Sequence, residues 1–78
     1  MDEYLGMIKL FAGNFIPSGY LECNGQLLNL QQNVALYSIL GTTYGGDGHT
    51  SFALPKMDAP VDEMKYIICA QGMYPSRP

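Results

Sequence analysis

Residues 41–55 read GTTYGGDGHTSFALP and hold the only histidine of the chain, His49, two places after Asp47. Three chemistries are open to such a stretch. A P-loop-type phosphate cradle needs G-x-x-x-x-G-K-[ST] after a strand and before a helix, so that a lysine and the helix N-terminus meet the anion. Here the glycines come after the predicted helix, and no Lys or Arg lies between Lys9 and Lys56. An anion would meet Asp47 and be held by backbone N–H groups alone. As a metal loop the stretch offers Asp47 and His49, whereas zinc takes a third and usually a fourth ligand and calcium more oxygens still. One histidine per subunit could converge on the axis of an oligomer, but nothing in the sequence demands it. For nucleophilic catalysis, Ser38, Ser51 and His49 show no acid–base–nucleophile spacing, although such sites are set by geometry rather than by order. The sequence thus predicts no catalytic residue, no metal and no cofactor.

Two readings of the stretch remain. In the first it is a shaped turn: Gly41, Gly45, Gly46 and Gly48 let the chain leave a helix and lie close to another backbone. Thr42, Thr43 and Asp47 then bond nearby amides. In the second it lines a ligand or partner site between subunits, built from Tyr44, Asp47 and His49 with Tyr20 and Arg77, because interfacial pockets with a few convergent polar groups commonly hold ligands.

The elements that would position this loop are short. Residues 4–13 (YLGMIKLFAG) alternate with apolar residues on both sides, which predicts a strand covered on both faces. FIPSG (15–19) is a turn. Tyr20, Leu21 and Cys23 form a second strand, and Asn24-Gly25 is a strong hairpin signal that would bring Gln26–Leu28 back alongside. NLQQNVALYSILG (29–41) predicts the one helix, over about residues 30–40. Asn29 is the expected N-cap with Gln32 in capping-box position, and Asn33 is an alternative start. Leu36, Ile39 and Leu40 make its apolar stripe, and Gly41 its C-cap. SFALP (51–55) is a short apolar segment, 56–64 an acidic linker, and 65–72 (KYIICAQG) the closing strand before the tail. The fold class is α+β: a small antiparallel or mixed sheet, one helix and long glycine-rich loops.

Composition limits what this scaffold can do. The 78 residues make a single domain, with a core over 4–55, a linker over 56–64, and a closing strand and tail over 65–78. A chain of this length buries only about 60% of its unfolded surface. It is 47% hydrophobic and only 14% charged, against about 25% charged in ordinary soluble domains. Some apolar surface is therefore expected to bury against another copy. The net charge is −3, and the fixed cations Lys9, Lys56, Lys65 and Arg77 are scattered; a duplex-binding face needs several together, so no nucleic acid is expected. Cys23 and Cys69 lie far apart without a C-x-x-C; they read as small buried hydrophobes with free thiols, and a disulfide stays open in an oxidising compartment. The N-terminal MDEYLG lacks signal-peptide character and no apolar run approaches 18 residues, so no export or membrane insertion is expected.

The order of these segments resembles a known family. Gly6–Gly13 reads G-x-I-x-L-F-A-G, Pro17–Gly25 reads P-S-G-Y-x-x-C-N-G, Leu36–Gly48 reads L-Y-S-I-L-G-T-T-Y-G-G-D-G, and Phe52–Pro55 reads F-A-L-P. This is similar to the phage tail collar domain of tail fibres and of the microcystin-dependent proteins, and Tyr66–Arg77 resembles the closing strand and tail of the latter. The resemblance implies a small α+β module, usually trimeric in fibres, that builds a fibre tip or carries receptor-binding segments. In that frame Gly25, Gly41, Gly45, Gly46, Gly48 and Pro55 are fold signatures rather than catalytic residues. Tyr20 and Asn24 replace the tryptophan and aspartate common in P-x-G-W-x-x-C-D-G, and KMDAPVDEMK replaces D-L-R-G-R after the Leu-Pro. Most consequentially, about nine residues stand where family members carry a long variable display segment. The resemblance implies a non-enzymatic, self-associating structural or assembly module of a virion tail. The alternative is a repurposed scaffold in the host cytoplasm that binds a host protein or sequesters a small molecule between subunits. Implied partners are other copies of the chain, other tail proteins or a host protein.

Overall fold

The computed structural model describes residues 3–76. The elements are β1 (Ile8–Phe11), β2 (Tyr20–Glu22), β3 (Leu27–Asn29), α1 (Val34–Leu40), β4 (Ser51–Ala53) and β5 (Lys65–Cys69). They form two small sheets. One is three-stranded in the order β1-β5-β2, with the closing strand in the centre; the other pairs β3 with β4. All of these strand pairs are antiparallel, and with α1 they make the α+β architecture expected.

Strand β5 organises the interior because it is apolar on both sides. Ile68 pairs with Ile8 and Leu21, and Tyr66 with Leu10. On this face Ile68 joins Leu5, Cys23, Leu36, Phe52 and Leu54 in the main core, with Tyr37, Ile39, Leu40 and Tyr66 packed around it. Ile67 and Cys69 point the other way and pack with Tyr20, Phe11 and Ile16. The apolar stripe of α1 behaves as its spacing predicts: Leu36 is buried and Ile39 and Leu40 border the same core. Phe52 and Leu54 are fully buried, and the Phe52 ring tilts against Tyr37 with centroids 5.4 Å apart.

Three local expectations are corrected. Asn24-Gly25 does not close a hairpin, since β2 pairs with β5 and β3 with β4. A type I′ turn needs positive φ at both central residues, and only Gly25 has it, at 82°. Asn24 instead accepts a hydrogen bond from the Gln26 N–H on its Oδ1 at 3.1 Å, an Asx-turn that steers the chain into the second sheet. The helix begins at Val34 rather than near residue 30. Asn29 Oδ1 does accept the Gln32 N–H at 3.0 Å, but the Asn33 amide and N–H bond back to Asn29 O and Leu30 O, closing a separate turn before the helix starts. The first strand is shorter than 4–13: Gly6 N–H donates to Cys69 O while Cys69 N–H donates to Met7 O, so two residues face one and the ladder is bulged there. Residues 3–5 then pair with Met73, in parallel at Tyr4.

Candidate functional site

The glycine loop leaves α1 at Gly41, whose N–H donates to Tyr37 O at 2.7 Å, and returns into β4 at Ser51. Its polar groups turn inward on Asp47. The Oδ1 atom accepts the N–H groups of His49 (2.8 Å), Thr50 (2.8 Å) and Ser51 (3.0 Å). The Oδ2 atom accepts the Thr50 hydroxyl at 2.7 Å. These donors stabilise the ionised form. The His49 N–H leads, followed by the Thr50 hydroxyl and the Thr50 and Ser51 N–H groups, and together they hold the carboxyl far below the usual carboxylate range.

The rest of the loop seats on the free side of β4. Ala53 N–H donates to Gly45 O and Gly48 N–H to Ser51 O, both at 3.0 Å, while on the opposite side Leu30 N–H extends the pairing with β3 by donating to Thr50 O at 3.0 Å. Gly46 is the tightest point. Its φ is +94°, and a Cβ there would lie 2.4 Å from Phe52 Cα and 2.6 Å from Ser51 O. No side chain fits between loop and strand. Pro55 is buried at the exit of β4, and its carbonyl accepts the Gly25 N–H at 3.3 Å.

Of the residues named as a possible ligand or partner site between subunits, Tyr44, Asp47 and His49 share the loop, and Tyr20 lies apart from them within the chain. Tyr44 and His49 are exposed on the loop beside Asp47. Tyr20 is buried on β2 in the smaller apolar cluster, on the far face of the three-stranded sheet from the main core, with Lys9 Nζ 5.6 Å from its ring centroid. Arg77 lies outside the described residues. Sequence reasoning missed Thr50 and Ser51 as partners of Asp47. The signal was there: a carboxylate followed two to four places on by amides and hydroxyls is the pattern of side chains that close their own turn.

Two grooves occur elsewhere. One of about 330 Å³ runs between the linker and the end of β2, with Glu22, Lys56, Asp58, Asp62 and Lys65 on its walls. Another of about 370 Å³ lies against Phe11, Pro17, Tyr20 and Ile67, with Lys9 at its rim. The Lys9 ammonium is bonded to Glu3 Oε2 at 2.7 Å, which raises its pKa. Cys23 and Cys69 are both buried free thiols, and they sit in the two different apolar clusters. Burial, then the nearby Glu22 carboxylate, pushes the Cys23 thiol pKa up. Among the described residues no three His, Cys, Asp or Glu side chains cluster as a metal site would require, and no helix is long and apolar enough to cross a membrane.

With this geometry in view, comparison with known families is decisive for class: the model of the phage tail collar domain matches residues 6–61, and the chain belongs to that family. No curated protein and no solved structure matches the chain. The matched span contains β1 to β4, α1 and the whole glycine loop but stops before β5, the strand that joins β1 to β2. The family is a structural one of phage tails, and membership suggests a tail structural module.

Proposed function

We propose that this chain is a non-enzymatic assembly module of a phage tail or tail-like particle, and that it works by associating with copies of itself. The observation that carries this reading is the use made of Asp47. The loop that held most promise of chemistry directs its acid at its own N–H groups and hydroxyls, as a shape-holding loop does. Alongside it, large apolar side chains are left in solvent, among them Tyr4, Met7, Val34, Met73 and Tyr74. Such exposure fits a surface that is covered in an assembly. The state we favour is the trimer implied by the resemblance to tail-fibre modules. With so short a linker in place of a display segment, the module would join or cap parts of a particle rather than reach a receptor by itself.

Size-exclusion chromatography with light scattering tests this. The reading requires a discrete assembly whose mass is a multiple of the 8.6 kDa chain. A monomer at every concentration would overturn it.

A further inference from the structure

The surface is polarised along β5. At the Lys65 end sit the charged groups of β2 and the linker, namely Glu22, Lys56, Asp58, Asp62 and Glu63. The Cys69 end lies about 14 Å away at the usual rise per strand residue. There the two ends of the described chain meet: Leu5 N–H donates to Met73 O at 2.8 Å and Met73 N–H to Glu3 O at 3.0 Å. Tyr4 and Met73 are bridge partners, Met7 N–H closes back on Tyr4 O, and the Tyr74 and Ser38 hydroxyls share a hydrogen bond of 2.6 Å. Ser38 lies one helical turn from Val34, on the same face of α1. Tyr4, Met7, Val34, Met73 and Tyr74, each 44–56% exposed and none of them charged, are thus brought near one another at this end of the described chain. Glu3, which precedes Tyr4, is ion-paired with Lys9.

We infer that this terminal patch is where copies of the chain meet, so that the Cys69 ends of the subunits gather at the symmetry axis and the charged linker ends point outward. The inference rests on the self-association proposed above and names its surface. Two arguments select a second copy as the occupant. The first is charge. Each chain carries a net −3, so identical subunits repel, and the end remote from the linker acids is where they approach at least cost; charges more than about 8 Å apart are largely screened at physiological salt. A partner of opposite charge would be drawn to the linker end instead. The second is area. Half-exposed side chains of this size present on the order of 500 Å² in total, within the range of the largest patch on an ordinary monomer. A stable interface takes about 800 Å² per partner, so the patch would form most of one subunit's contact, with surrounding rim supplying the rest.

The test uses the full chain and light scattering across a concentration series. Met7→Lys and Met73→Lys each place a charge in the patch; Leu27→Lys and Val61→Lys place one on exposed apolar residues elsewhere. Burying an unpaired charge should raise the dissociation constant of the assembly about 100-fold or more in the first pair and leave it within a few-fold in the second. Circular dichroism confirms that all four fold, as substitutions of exposed side chains should. An assembly that survives both patch substitutions, or that is broken only by Leu27→Lys or Val61→Lys, overturns this surface while leaving self-association standing. A monomeric parent overturns both.

Discussion

Replacing Gly46 with alanine isolates what the close approach of loop and strand contributes. Gly41 is its natural reference. Gly41 has φ 60° and ψ −150°, a region almost reserved for glycine, but a Cβ there would meet nothing within 4 Å. Gly41→Ala therefore costs only the backbone term, about 1–3 kcal/mol. Gly46 has a similar backbone term at φ +94°, and its Cβ would also overlap Phe52 Cα, Phe52 N and Ser51 O at 2.4–2.8 Å. Those atoms are backbone of β4 and cannot rotate away. Relieving them must part the loop from the strand, lengthening the 3.0 Å bond from Ala53 N–H to Gly45 O and disturbing Phe52, which is fully buried. Overpacking of this kind adds about 1–3 kcal/mol. A domain of this length has on the order of 4–12 kcal/mol in all, and a kilocalorie shifts Tm by about 4–8 °C. Gly46→Ala is thus expected to melt at least about 5 °C below Gly41→Ala. Urea titration followed by far-ultraviolet circular dichroism measures the same difference, with an unchanged slope confirming that both unfold as one unit. If the two variants are equally stable, the loop does not lie on β4 as described and the reasoning fails.

Further expectations follow from the same contacts. Because the loop donors depress the Asp47 pKa in the folded state, its contribution is fully present above the unfolded carboxylate value of about 3.9 and is lost as pH falls from there toward the folded value. Thermal melts from neutral to strongly acidic pH should show wild type losing stability in that window, with Asp47→Asn lower at neutral pH and the curves converging in acid; parallel curves would refute it. His49→Ala should leave Tm unchanged, since it is the backbone N–H of His49 that holds Asp47; a large drop in a melt would show that the imidazole supports the loop. Cys23 and Cys69 lie in separate apolar clusters. A thiol reagent should therefore find neither in the native protein and both after urea, whereas a missing pair of thiols in urea would reveal a disulfide.

How much of this was legible in the sequence depended on how local the causes were. The stripe of Leu36, Ile39 and Leu40, the apolar character of Tyr66–Cys69 on both faces and the structural use of the glycines are written in spacing and residue type. The partners of each strand are not. Asn24-Gly25 is favourable for a tight hairpin, yet β2 finds β5 some forty residues on, and β3 finds β4, because burying both faces of Ile67–Cys69 outweighs a local turn preference. Asn29 supplies the cap its spacing suggests but spends it on a turn, since the bonds of Asn33 to Leu30 and Asn29 close before the helix begins. The pairing of residues 3–5 with Met73 has no signature at all; it depends on Gly72, where a Cβ would lie 2.4 Å from Glu3 O and 2.8 Å from Cys69 Sγ. At the candidate site, residue type draws attention to Asp47 but not to the His49, Thr50 and Ser51 donors that fill its oxygens, and Tyr20, grouped with the loop, packs in the apolar cluster on the opposite side of β5.

The central claim, that the chain is a self-associating structural module, is tested most directly by native mass spectrometry of freshly purified protein. It predicts a single homo-oligomer whose mass is an integral multiple of the polypeptide and nothing more. A monomer throughout, or an assembly carrying additional mass that is released on denaturation, would contradict it.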